Sequence, residues 1–236
     1  MNIVIEKWAF KVEASSTVAS DVVNLVRNCS NDLSMFVYDE ASILYDYFSQ
    51  REVVRANMLL SKVGTAEVEE KELFVAKCAD TETFVGFCFC SPMIDTTTYK
   101  KLNGTSVVMI AVVPEYRRKG VFTSIIGYLQ EVYSAITLTC SPNIVDYYSK
   151  LGFEVVGSFQ AQLSLTYGQP PQNGGLISID DEVVASHHTV IDAYKNTVAR
   201  HGQDAILEAR SGFQQDFTQA EIEVKNYLQR YHPELA

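Results

Sequence analysis

The residues best suited to chemistry lie together near the middle of the chain. Arg117, Arg118 and Lys119 are consecutive and run straight into Gly120, within Val112-Val113-Pro114-Glu115-Tyr116-Arg117-Arg118-Lys119-Gly120-Val121-Phe122-Thr123. The almost wholly apolar run Ser106 to Val113 precedes this turn, and a helix from about Gly120 to Tyr133 is predicted after it. A basic turn between a buried strand and a helix start suits a phosphate. The first backbone N–H groups of a helix have no intrahelical partners, its dipole adds partial positive charge, and a glycine lets an anion approach closely. Further on, Tyr147-Tyr148-Ser149-Lys150-Leu151-Gly152-Phe153 reads on its own as an amphipathic helix closed by a glycine.

The rest of the chain supplies the frame for that turn. Asn2 to Val12 has the composition of a strand, and Ser15-Ser16 can cap a helix carrying Val18, Val22, Val23 and Val26. Asp39 to Val63 reads as one bent helix or two short ones. Glu72 to Ala79 and Thr83 to Ser91 read as an antiparallel hairpin joined at Asp80-Thr81-Glu82. A polar loop containing Pro92 and Asn103-Gly104 is expected before the central strand. After the helix, a strand at Ala135 to Thr139, a helix at Asn143 to Leu151, and strands at Phe153 to Phe159 and Ala161 to Tyr167 follow. The turn-rich cluster Gly168 to Gly175 marks a boundary, giving a domain over 1–167, a Gly/Pro-rich linker over 168–179 and a helical extension over 180–236. In that extension Asp180 and Asp181 start a helix ending near Gly202, and Thr218 with Glu221 reads as the capping box of a last one.

Composition narrows the function classes. Of 236 residues, 29 are acidic and 19 basic, and the formal net charge of -10 opposes nonspecific nucleic-acid binding and favours a cationic acceptor. No stretch is apolar for long enough to cross a bilayer, and no secretory leader is evident, so a cytoplasmic protein is expected. Cys29, Cys78, Cys88, Cys90 and Cys140 are scattered in apolar sequence and read as small buried hydrophobes. The Cys88-x-Cys90 pair lacks further ligands, so no metal is expected.

The central segment resembles the acyl-CoA signature of GNAT acetyltransferases, in which a strand ends in V-x-P and runs into R/Q-x-x-G-x-G/A. Val112 and Pro114 match the strand end, Arg117 the R/Q position, Gly120 the first glycine and Thr123 the small polar residue after it. Tyr147 to Phe153 resembles the family's Y-x-K-L-G-F segment, in the expected order and spacing. Two positions depart: Phe122 stands where the family has Gly or Ala, and Ser141 where it often has Asn, with Asn143 two residues on. Phe122 is expected to turn into the core between helix and sheet; facing the cofactor, it would block it.

The resemblance implies a GNAT fold of the α/β (α+β) class, a mixed and mostly antiparallel sheet flanked by helices, with the helical C-terminal extension added. It implies an N-acetyltransferase moving acetyl from acetyl-CoA directly to a primary amine. Cofactor contacts fall on Val112, Arg117, Arg118, Lys119, Gly120, Val121, Phe122, Thr123, Ser141 and Asn143. In the family the backbone N–H mapping to Val112 polarises the thioester carbonyl, and the tyrosine mapping to Tyr148 protonates the departing thiolate. No carboxylate lies in Ser106 to Val113, which leaves Asp39, Glu40, Asp95 or a water chain to take the amine proton. His187 and His188 read as packing or interface residues rather than catalytic ones. The competing reading is an inactive GNAT-fold binding or regulatory protein whose tail mediates homodimerisation or partner docking; equally, the tail can pack over its own sheet.

Overall fold

The computed structural model describes residues 2–8, 13, 16–34, 38, 40–65 and 67–235. Ser15, Asp39 and the end of the first expected strand (9–12) lie outside them. Within the described residues, the expected mixed sheet is present. Strands β1 (Ile3–Trp8), β2 (Glu72–Cys78), β3 (Phe84–Asp95), β4 (Lys101–Val112), β5 (Ala135–Cys140), β6 (Glu154–Phe159) and β7 (Gln162–Gly168) lie in the order β1-β2-β3-β4-β5-β7-β6. Only β4 and β5 run parallel, while the short β8 (Gly174–Gly175) adds to β3.

Strand alternation sends two sets of side chains to opposite faces. Leu73, Val75, Phe87, Phe89, Met109 and Ala111 pack under helices α1 (Thr17–Asn28) and α3 (Tyr45–Ser61); the four-residue α2 (Ser30–Leu33) follows α1. Phe74, Cys88, Ile136, Leu138, Leu163 and Leu165 pack under α4 (Val121–Val132) and α5 (Val145–Ser149). Ser16 caps α1 by accepting a 3.1 Å bond from Ala19 N–H. All five cysteines are buried and free.

Three expectations are corrected. Pro92 and Asn103-Gly104 are strand rather than loop, because β3 and β4 form one long hairpin whose turn is tied by Asp95 Oδ1, which accepts from Thr97 and Thr98 N–H at 2.9 and 2.7 Å. Pro92 sits where the β3/β4 register shifts and its missing donor costs little, and a side chain at Gly104 would meet Met93 Sδ at 2.7 Å. The helix after Asp180 is two, α6 (Asp181–Ser186) and α7 (His188–His201), because His187 takes an extended conformation and caps α7 through Thr189 N–H. Thr218 caps nothing: α8 (Gln203–Tyr231) is continuous, and the Thr218 hydroxyl donates back to Gln214 C=O at 3.0 Å.

The C-terminal helices lie against the rest of the chain. Tyr194 of α7 meets Tyr47 of α3 with ring centroids 5.6 Å apart, and Arg200 pairs with Asp46 at 2.6 Å. Helix α8 places Phe213 on Phe48, in a separate cluster with Tyr38, Leu44 and Ile206, and Val224 and Leu228 among the residues under α4 and α5. Among the described residues, no helix is long and apolar enough to cross a membrane.

Candidate active site

The site is built around a gap in the sheet. Strands β4 and β5 are bonded only over Gly104–Ser106 against Ala135–Thr137, while β4 continues to Val112 and β5 to Cys140. Just beyond the last paired residues, β4 bulges at Val108: Phe89 faces Met109, yet Cys90 faces Val107. A bulge increases local twist and turns a strand away from its neighbour. A cleft of about 920 Å³ follows the gap from one face of the sheet to the other. On one side it is lined by Ile110, Phe122, Leu138, Cys140 and Tyr148, and on the other by Glu52, Arg55, Leu59, Lys71 and Ser91.

The hydrogen-bond ladder aims the end of β4 into this gap. Val113 N–H donates to Val85 C=O at 2.9 Å, so the neighbouring Val112/Gly86 pair is a non-bonded one and Val112 N–H points away from β3. Val112 C=O points the same way and accepts from Arg117 Nε at 3.3 Å. A donor fixed in this manner can stabilise negative charge developing on a carbonyl oxygen.

At the end of β4 the basic turn opens onto a second cavity of about 510 Å³, lined by Val112, Arg117, Arg118, Gly120, Val121, Phe122 and Thr123. Gly120 is the residue before α4, at φ 84°, and no atom lies within 4 Å of the position a Cβ would take. Its conformation is the left-handed one that favours glycine, and it leaves open space over the helix start. No side chain caps α4, so its first N–H groups remain available to a ligand. Arg118 is exposed, and Lys119 Nζ lies 5.2 Å from the centre of the Tyr116 ring. Arg117 instead turns toward α2, donating to Asp32 Oδ2 at 2.7 Å and Cys29 Sγ at 3.2 Å.

Phe122 is half-buried: it packs against the core under α4 and α5 and also lines both cavities. Its ring packs on Tyr147 and Tyr148 at centroid distances of 5.3 and 5.7 Å. Tyr148 is buried, faces the cleft, and has no hydrogen-bond partner for its hydroxyl among the described residues; burial raises its pKa well above the ordinary phenol value. Tyr147 is exposed and bonds Thr123 Oγ1 at 3.1 Å. Ser141 lines the cleft just beyond β5, whereas Asn143 is exposed and lines neither cavity.

None of the expected proton acceptors among the described residues lines the cleft. Glu40 is exposed, and Asp95 is engaged in its turn, whose N–H groups hold its carboxyl below the usual range. The buried carboxylate that lines it is Glu52, 4% exposed, whose pKa burial raises against the opposing pull of Arg55 and Arg51. Arg55 bridges Glu52 and Asp181 at 3.3 and 2.6 Å. Glu52 was detectable in the sequence, because it shares the buried face of α3 with Phe48, Ala56 and Leu59 at helical spacing. Lys71 carries a similar signal: it alternates with Leu73 and Val75 toward an apolar face.

Residues 69–155 match the family model of the acetyltransferase (GNAT) domain. Among solved structures, histone acetyltransferase HPA2 and related acetyltransferase from Corynebacterium glutamicum is 14% identical, covering 73% of this chain and 99% of its own, with a TM-score of 0.52. An N-acetyltransferase from Thermoplasma acidophilum in complex with coenzyme A is 15% identical over 72% of this chain and 100% of its own, at a TM-score of 0.49. A GNAT family acetyltransferase from Brucella melitensis in complex with acetyl-CoA is 13% identical over 77% of this chain and 98% of its own, at 0.45. No curated protein sequence matches the chain.

Proposed function

We propose that this chain, whose residues 69–155 match the GNAT acetyltransferase domain, is an N-acetyltransferase, moving the acetyl group of acetyl-CoA directly onto a primary amine. The observation that carries this reading is the cleft through the sheet between β4 and β5, which joins a phosphate-suited turn on one face to a polar pocket on the other. The residues present suit the cofactor: the open left-handed Gly120 and the free N–H groups of Val121 to Thr123 would hold its phosphates, with Arg118 and Lys119 beside them. Ser141 and Val112 would line the path of its arm.

When bound, acetyl-CoA supplies an activated acetyl carbon and a thiolate leaving group. Val112 N–H stabilises the charge that builds on the carbonyl oxygen. The acceptor nitrogen bonds the acetyl carbon as the carbon–sulfur bond breaks. Tyr148 gives its proton to the sulfur, and burial keeps that phenol protonated at neutral pH. Glu52 takes the nitrogen's proton, and its raised pKa makes it a stronger base than an exposed carboxylate. The C-terminal extension contributes a wall, because Asp216, Phe217 and Ala220 of α8 line the cleft.

A second reading, a regulatory protein without turnover, is favoured by Phe122 at the junction of the two cavities and by Arg117 being held on Asp32. Release of CoA thiol from acetyl-CoA, followed across a panel of primary amines, separates the two. Turnover with any amine supports the transferase, and acetyl-CoA binding without turnover supports the regulatory protein.

A further inference from the structure

The polar pocket on the α3 face has a chemical signature of its own. Lys71, Ser91, Ser106 and Thr137 occupy neighbouring positions across β2, β3, β4 and β5, since Ser91 pairs with Ser106, Ser106 with Thr137, and Lys71 continues the register of β2 opposite Ser91. All four line the cleft. Cross-strand partners share a face, so they form one polar row ending where β4 and β5 part.

Lys71 is 3% exposed, and among the described residues it has no carboxylate partner. Its Nζ donates to Ser91 Oγ at 2.9 Å and to Ile177 C=O at 2.5 Å. An ammonium has three donors, so one remains for the cavity. At the far end of the row, Thr137 Oγ1 is buried with no partner. The other charges deep in the pocket are matched, Arg55 and Arg51 by Glu52 and Asp181, whereas the carboxylate whose charge acts on Lys71, Glu69, is exposed and paired with Lys62 at 2.9 Å. A buried charge without a counter-ion is costly unless something pairs with it.

We propose that Lys71 binds the anionic group of the acceptor, and that the acceptor is therefore an amino carboxylate rather than a simple amine or polyamine. This rests on the acetyltransfer reading above. It departs from the cationic acceptor suggested by the net charge, because the buried Lys71 ammonium has no carboxylate within ion-pair distance among the described residues. Lys71 Nζ bonds Ser91 on the Ser106 row, and Ser106 lies six residues before Val112 on β4, roughly 20 Å of strand. Allowing for a hydrogen bond at the anion and for the acetyl group at Val112, the acceptor's carboxylate and amine are about 10 to 15 Å apart, the reach of a long ω-amino carboxylate rather than of an α-amino acid. Ser106 and then Val107 to Ile110 line the route between them. Burial lowers the pKa of Lys71, and a bound carboxylate would oppose that shift.

The test is calorimetric titration of 10-aminodecanoate, 12-aminododecanoate and the amino alcohols of the same lengths into the wild type, Lys71→Met and Lys71→Arg, without cofactor. Thermal melting and acetyl-CoA titration of each variant check that the fold and the cofactor side are intact. The wild type is expected to bind the amino carboxylates about ten- to a hundredfold more tightly than the alcohols. Lys71→Met should abolish that preference and Lys71→Arg restore part of it, both with unchanged acetyl-CoA affinity. Equal or absent binding of the two series to the wild type, or a preference that survives in Lys71→Met, overturns the inference. So does transfer of acetyl to Lys71 itself, seen as one added acetyl group on that residue by mass spectrometry. A wild type that binds acetyl-CoA but shows no carboxylate preference sinks this inference alone, whereas failure to bind acetyl-CoA sinks the acetyltransfer reading.

Discussion

Replacing Tyr148 by Phe removes one oxygen atom and leaves the ring where it is. That ring packs edge-on against Phe122, Tyr147 and Phe153 at centroid distances of 5.7, 6.1 and 5.8 Å, and a phenyl group keeps all three contacts. The hydroxyl makes no hydrogen bond to a described residue, so its loss should change stability by no more than about 0.5 kcal/mol. A bonded hydroxyl would cost about 1 kcal/mol, or roughly 2–4 °C in Tm for a chain of this size. As the proton donor to the thiolate, the same oxygen is worth about 10²- to 10⁴-fold in kcat, or about 3–5 kcal/mol of barrier. Burial raises the phenol's pKa, so the wild-type rate should show no fall from phenol ionisation below about pH 10. Thiol release under saturating acetyl-CoA, beside calorimetric melting and acetyl-CoA titration, reads all of these. A variant with unchanged Tm and cofactor affinity but a kcat lowered at least about a hundredfold fits the assignment. An unchanged kcat refutes it, and so does a loss of activity fully accounted for by a lower Tm.

Two further predictions concern the cofactor turn and the base. Asp32→Asn frees Arg117 to face the phosphates; because the pair is 44% and 52% exposed, stability should fall by less than about 1 kcal/mol while acetyl-CoA binds about two- to fivefold more tightly, and unchanged or weaker binding in calorimetry counts against a phosphate role for Arg117. Glu52→Gln should lower kcat/KM about 10²- to 10⁴-fold and remove the acid limb of its pH profile, which in the wild type lies above the ordinary carboxylate range. The stability sign runs the other way: a carboxyl with a raised folded-state pKa holds more protons folded than unfolded, so wild-type stability declines as pH rises from the unfolded to the folded pKa, and melts of Glu52→Gln should lack that decline. A wild-type acid limb that persists in the variant removes Glu52 as the base.

The turn and its flanking elements were legible in sequence because each rests on local rules. The apolar run ending in Val112-Val113-Pro114, the glycine before a helix and the glycine after Leu151 all punctuate the chain where the structure does. Pro92 and Gly104 misled because their usual meaning is a turn, and here long-range pairing of β3 with β4 overrides it. The direction of Phe122 depends on the tilt of α4 over the gap, which is a tertiary quantity. Glu52 and Lys71 became visible as site residues only when α3 and the segment around Ile177 closed over the sheet, although their places on apolar faces already set them apart. The tail's share of the cleft had no sequence signal, since α8 reaches it by packing from the cluster around Phe48 to the core under α4 and α5.

The central claim is that the turn before α4 holds the phosphates of acetyl-CoA, and calorimetric titration of acetyl-CoA into the wild type and Gly120→Glu tests it most directly. Gly120 is exposed with open space around it, so the substitution should cost only the left-handed backbone, about 1–2 kcal/mol. One carboxylate about 4 Å from a phosphate charge should weaken binding by about 1 to 4 kcal/mol across the range from bulk water to a protein surface. Saturable binding by the wild type, weakened at least about fivefold in a variant that still melts cooperatively, is the predicted result. A wild type that does not bind, or a folded variant that binds equally well, contradicts the claim.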